Sequence, residues 1–276
     1  MSEPYPPGVY DIPEADYFGA SYALSCSGAK LLLPPSCPAK FYWRMDHQEY
    51  KAVWDFGSAA HQMVLGSGPE IVECEFEDWR KKDAQAQQAE ARAAGKIPLL
   101  TKELARVKAM AAAIQAHPVA GYLFDPYDGM PEQSVFWQDE RTGIMRRARL
   151  DWLPELRGDR LVIVDFKTCD AADPESIAKS VARYAYHQQH AFYADGIAAV
   201  LGVMPEFVFV FEEKDPPYLI NVVQLDPEAV RIGRALNDRA IDIYRACIKS
   251  GEWAGYEDDE VTEISLPAWA PRGEVW

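Results

Sequence analysis

Apolar and polar positions divide the chain into two stretches of different character. Up to about residue 125 the apolar residues come in short helical blocks. Ser25 and Ser27 precede the apolar run Ala29–Leu33, which stops at Pro34-Pro35. Serine ahead of such a run is an N-cap signal, and the double proline is a stop. Further helices are predicted over Pro38–Arg44, over the small and apolar residues Asp55–Leu65, and from Thr101 to about Gln115 with Glu103 in the first turn. The stretch Asp78–Ala94 is rich in alanine, glutamine and charge; its weak apolar face predicts an exposed helix. Residues 1–20, rich in proline, tyrosine and acids, read as an extended lead-in.

From there the pattern turns strand-like. Gln133–Gln138, Ile144–Leu153 and Leu161–Lys167 are joined by Asp139–Gly143 and Pro154–Asp159, both rich in turn residues, which predicts an antiparallel meander. A helix beginning near Pro174, a longer one over Tyr186–Leu201, strands Glu206–Phe211 and Tyr218–Leu225, and a long helix Pro227–Ser250 follow. The tail carries Trp and Pro and is expected to pack back on the body. The order predicts an α+β fold, a mixed central sheet flanked by helices with a helical N-terminal region. We expect one domain over 1–276: a lead-in (1–20), a helical region (21–125), a βββαβ core with its long helix (126–250) and a tail (251–276).

Composition narrows the class. The 276 residues are 49% hydrophobic and 26% charged, as in globular proteins. No apolar run approaches the roughly 18 residues of a membrane span, and Met1–Asp16 has no apolar core of a secretory signal. The five cysteines are scattered without a CxxC pair, which argues against a disulfide framework, zinc or an iron–sulfur cluster and predicts a reduced, cytoplasmic protein. The net charge of −15 argues against a non-specific nucleic-acid coat protein. It leaves room for a nucleic-acid enzyme, which needs only a local basic surface.

The candidate chemistry sits on the meander. In Val164-Asp165-Phe166-Lys167, alternation puts Asp165 and Lys167 on one strand face at the end of an apolar run. A carboxylate and an ammonium there are costly unless paired, hydrated or metal-bound. A lone D-x-K arises by chance and is more often an edge salt bridge. On the preceding strand Arg147, Arg149 and Asp151 share a face by the same rule, expected near Asp165 and Lys167. Two carboxylates together suit magnesium or manganese, and the arginines suit phosphate oxygens; the bland alternative is a solvated charged face. His61 lies on the small-residue helix Gly57-Ser58-Ala59-Ala60-His61, where a hydrogen-bonded core histidine is the ordinary reading. Gln189 and Tyr193 share a helix face at i, i+4, which simple packing also explains.

In this order, G-x-x-x-H, a hairpin acid, D-x-K and Q-x-x-x-Y resemble the PD-(D/E)xK nuclease superfamily. Within it the chain is similar to the phage and prophage exodeoxyribonuclease VIII (RecE) nucleases. The resemblance starts at Leu24-Ser25-x-Ser27 and Cys37-Pro38-Ala39-Lys40-Phe41, and is closest over Tyr186–Gly196. It resumes at Pro205–Phe211 and ends at Leu266-Pro267-Ala268-Trp269-Ala270. It implies a Mg²⁺-dependent exonuclease on linear double-stranded DNA, with Mn²⁺ able to substitute. Asp151, Asp165 and Lys167 would be catalytic, and His61, Asp151, Asp165 and the Phe166 carbonyl the metal ligands. Arg147 and Arg149 would hold flanking phosphates, Gln189 and Tyr193 would meet the DNA end, and Glu132 would be a supporting acid. Two departures stand out: Leu150 takes the place of proline in the P-D dipeptide, and the second acid is Asp165 rather than glutamate. The resemblance further implies 5′→3′ degradation leaving a 3′ single strand for recombination, a ring-shaped homo-oligomer and a single-strand annealing partner. The rivals are an endonuclease of the same superfamily and an inactive scaffold that binds DNA ends. A CRISPR-adaptation-type nuclease would carry a cysteine cluster that this chain lacks.

Overall fold

The computed structural model describes residues 4–47, 54–155, 160–256 and 261–267. Its centre is a mixed seven-stranded sheet ordered β1-β5-β6-β7-β8-β9, with β2 pairing β6 off that path. The strands are β1 (Gly8–Tyr10), β2 (Leu24–Ser25), β5 (Gly129–Gln138), β6 (Met145–Pro154), β7 (Val162–Cys169), β8 (Glu206–Glu213) and β9 (Ile220–Val223). The expected meander is present: β5–β6 and β6–β7 pair antiparallel. The connection 156–159, within the turn Pro154–Asp159, lies outside the described residues. β8 then joins β7 in parallel, as a helical crossover requires.

β8 shows why the strands hold together. Phe207, Phe209 and Phe211 enter one core and Val210 the other, so the run is apolar on both faces. The first core lies under α2 (Cys26–Leu31), α8 (Pro174–Tyr184), α9 (Tyr186–Leu201) and α10 (Pro227–Ser250). The second lies under α4 (Trp54–Leu65) and α6 (Thr101–Ala116). α10 starts where Pro227 occupies the first turn and Asp226 Oδ1 accepts from Ala229 N at 2.8 Å; it stops at Gly251, whose φ is 76°. At its far end Trp253 stacks on Phe41 of α3 (Pro38–Asp46) and on Tyr42, so the first residues of the tail do pack back. Residues 268–270 of the tail motif lie outside the described residues.

Several expectations need correction. The lead-in is not merely extended: it forms β1 and the short α1 (Glu14–Gly19), whose Tyr17 is buried against Phe136. The helical region 21–125 also holds β2 and a separate parallel pair, β3 (Ile71–Cys74) and β4 (Ile97–Leu100). The helix expected over Asp78–Ala94 is shorter, α5 (Lys82–Ala93), and is not wholly exposed: Ala84 and Ala91 are buried. Among the described residues no helix is long and apolar enough to cross a membrane.

Candidate active site

The site lies where the sheet comes apart. Among the described residues β6 pairs with β7 only at Trp152↔Val164, and with β2 at Arg146 and Arg147. Between those points the β7-facing edge of β6 pairs with no strand among the described residues. Asp151 fills the opening: its Oδ2 accepts the Phe166 amide at 2.8 Å, a donor the missing ladder leaves free. β6 also changes face here. Ala148 and Leu150 belong to the first core, whereas Trp152 belongs to the second. Opposite, β5 carries the matching irregularity. Pro131 faces Trp152 and Gln133 faces Leu150, and between them Glu132 sits at φ 55°, a left-handed conformation that costs a glutamate about 1–3 kcal/mol.

That backbone gathers His61, Glu132 and Asp151, whose ligand atoms all lie within 4.8 Å of one another. Burial and the Lys167 charge hold His61 down to about 4 against weaker upward pulls from the Asp165 charge and a Phe166 backbone hydrogen bond, so at neutral pH it is an uncharged donor. Its Nδ1 is 3.7 Å from Asp151 Oδ2. Burial and Asp151 push Glu132 up to about 7, although Arg149 Nε donates to it at 2.5 Å. Burial raises Asp151 as well. A neutral imidazole and two carboxylates crowded until they resist ionising suit a hard divalent cation, whose charge would relieve both. Asp165 stands apart from this cluster. It is 1% exposed, accepts from Gln189 Nε2 at 2.6 Å and is ion-paired to Lys167. Burial and Asp151 push Asp165 up to about 6 against the pull of Lys167. Burial would lower Lys167, but the Asp165 and Asp151 charges outweigh it and keep the ammonium charged, 5.1 Å from the Tyr186 ring centroid.

The remaining candidates divide. Arg149 does reach the site, bonded to Glu132, Ser134 Oγ and the Ile12 carbonyl. Arg147 does not fit the phosphate role expected of it. It is buried, donates to the Tyr17 and Phe18 carbonyls and lies 4.9 Å from the Tyr17 ring centroid, so it anchors α1. The cause is the break in alternation at Asp151, beyond which the simple face rule fails. Gln189 and Tyr193 lie beneath the cleft rather than lining it. Gln189 orients Asp165, and Tyr193 packs edge-on to Phe207, with its hydroxyl held protonated by burial. Of the expected ligands His61, Asp151, Asp165 and the Phe166 carbonyl, the structure gathers His61 and Asp151 together with Glu132, while the Asp165 carboxylate meets Lys167 and Gln189. Tyr186, under that lysine, was not singled out from the pattern, because an aromatic at a helix start gives no such signal.

All of this opens into a cleft of about 1560 Å³ lined by His61, Glu132, Arg149 and Lys167. The profile of the family described as "PDDEXK-like domain of unknown function (DUF3799)" matches residues 25–262. The chain belongs to this family. A Eubacterium rectale protein provisionally named an exonuclease is 12% identical, with a TM-score of 0.61 over 94% of this chain and 97% of its own, a likeness of fold. SSO0001 is 10% identical over 74% of this chain and 82% of its own (TM-score 0.32). The Vibrio cholerae protein VC1899 is 12% identical over 86% and 60% (TM-score 0.23). These last two scores carry no structural argument. No curated protein matches the chain.

Proposed function

We propose that this PDDEXK-like protein is a Mg²⁺-dependent nuclease that degrades linear double-stranded DNA from its ends. The observation that carries the reading is the opened β6–β7 junction, which sets an imidazole–carboxylate cluster beside a charged lysine in a large cleft. His61, Glu132 and Asp151 would hold the divalent ion, which supplies Lewis-acid stabilisation of a phosphate and an acidified water. Everything else belongs to the chain. Lys167 keeps its proton because Asp165 is its buried counter-ion, and it presents that charge to phosphate oxygens in the cleft. Gln189 fixes the Asp165 carboxylate from below, so the lysine works from a set position. Arg149 holds the strained Glu132.

Action at ends, with 5′→3′ polarity, a 3′ single strand for recombination, a ring oligomer, an annealing partner and a cytoplasmic location, is supported by the resemblance to RecE-type exonucleases. The provisional name of the Eubacterium rectale protein agrees with exonuclease action. The test is digestion of duplexes labelled at one 5′ or one 3′ end, beside a covalently closed circle. Loss of the 5′ label with the circle intact is expected. Nicking of the circle would replace the exonuclease reading with an endonuclease on the same site.

A further inference from the structure

The cleft is lined by more than the metal cluster, and part of its wall is built from ion pairs. Arg106 of α6 and Lys214, the residue after β8, both line it. Arg106 lies 4.9 Å from the Phe56 ring centroid, and its Nη2 donates to the Lys214 carbonyl at 2.9 Å and to Asp215 Oδ1 at 2.7 Å. Lys214 Nζ is 2.5 Å from Asp170 Oδ1, the residue after β7. The two cations are thus fixed to each other and to the ends of the parallel strands. Their carboxylate partners are not so fixed: Asp215 and Asp170 are 81% and 91% exposed, against 40% and 35% for Arg106 and Lys214. Exposed ion pairs contribute little to stability, so such carboxylates leave easily. The cleft wall is also less acidic than the chain as a whole. Six cations and five carboxylates line it, whereas the whole chain has 28 and 43.

We infer that Arg106 and Lys214 form a second phosphate-binding subsite of the substrate cleft, in which Asp170 and Asp215 stand in for phosphate until nucleic acid displaces them. This rests on the nuclease reading above and extends it to the track of the substrate. Asp170 is three residues beyond Lys167 along β7, which is roughly 10 Å. At that separation the subsite would hold a phosphate close along the same strand to the one at Lys167. The carboxylates would slow non-productive binding of other anions, because any ligand must compete with two tethered acids.

The test is anisotropy titration of a labelled blunt DNA duplex across a salt series, with Ca²⁺ in place of Mg²⁺. Arg106→Gln/Lys214→Gln is expected to weaken binding about tenfold and to reduce the slope of log K against log salt by about 1.8, the loss of two phosphate contacts. Asp170→Asn/Asp215→Asn is expected to tighten binding several-fold, and the control Glu140→Gln/Glu228→Gln, outside the cleft, to do so much less. Equal gains in the two acid-to-amide variants would reduce the effect to net charge and overturn the inference. So would an unchanged slope in the cation variant while the wild type binds and cuts DNA, which would leave the nuclease reading intact. A wild type that neither binds nor cuts duplex DNA would overturn both.

Discussion

Gly233 of α10 lies against the first turn of α9, the helix that brings Gln189 to Asp165. A Cβ built there would sit 2.1 Å from the His187 carbonyl oxygen and 2.8 Å from the Gln188 nitrogen, both backbone atoms. One turn on, buried Asn237 donates to the Gln188 carbonyl at 3.0 Å and pins the same contact. Gly233→Ala therefore sets two effects against each other. Replacing glycine inside a helix gains about 1 kcal/mol of propensity. Clearing the clash requires the helices to separate by over ~1 Å, which forfeits a quarter to a half of each dispersion contact along the crossing and typically costs about 1–3 kcal/mol or more. Because the obstacle is backbone, rotamer change cannot relieve it, and the second effect wins. With a backbone obstacle putting the cost at the upper end, ~3 kcal/mol, and ~1 kcal/mol of propensity regained, the net destabilisation expected is about 2 kcal/mol, or ~4–8 °C in Tm for a chain of this size. Cleavage should fall with it even at temperatures where the variant is folded, since α9 carries Gln189. Thermal melts and single-turnover assays at low temperature measure the two parts. A Tm equal to or above wild type would refute the close crossing and the reasoning built on it.

Other expectations follow from the same geometry. Arg147→Ala should destabilise by about 2–3 kcal/mol, since two carbonyls and a ring lose a buried cation, while the salt slope of DNA binding stays at the wild-type value; a slope lower by about 1 would return Arg147 to the substrate. Glu212 is fully buried with both carboxylate oxygens unpartnered, and burial pushes it up to about 8 from an ordinary 4.5. Because the folded value is the higher, its contribution is whole below pH 4.5 and lost as pH rises through about 8. Glu212→Gln should therefore gain on wild type by up to ~1.4 kcal/mol per pH unit across that window in denaturant titrations; a pH-independent difference would show the carboxyl to be solvated. Lys167→Met should abolish cleavage while the protein still melts cooperatively, and residual full activity would remove the lysine from the site.

Much of the fold is legible in the sequence because its long elements carry their own punctuation. The bounds of α9 and α10 follow from Gly202, Asp226-Pro227 and Gly251. β8 announces itself by five apolar or aromatic residues in a row, Phe207–Phe211. The four-residue strands β3 and β4 do not, since a run as short as Ile97-Pro98-Leu99-Leu100 has no period and carries a proline. Within the site, Asp165, Lys167 and His61 are legible as residue types in order, and their neighbourhood is not. The alternation rule places Arg147 with Asp151, and only the break in β6 shows that it points elsewhere. No residue preference marks Glu132 as left-handed, because glutamate rarely adopts that conformation. An arginine that binds helix carbonyls and one that binds phosphate use the same donors, so only the partners distinguish them.

The central claim is that the cluster of His61, Glu132 and Asp151 makes this cleft a metal-dependent nuclease site. It is tested most directly by incubating purified protein with linear duplex DNA in Mg²⁺ or in EDTA, beside Asp151→Asn under the same conditions. Degradation by the wild type in Mg²⁺, abolished both by EDTA and by the substitution, is the expected result. DNA that stays intact in Mg²⁺ and in Mn²⁺, or that is cut equally well by Asp151→Asn, would contradict it.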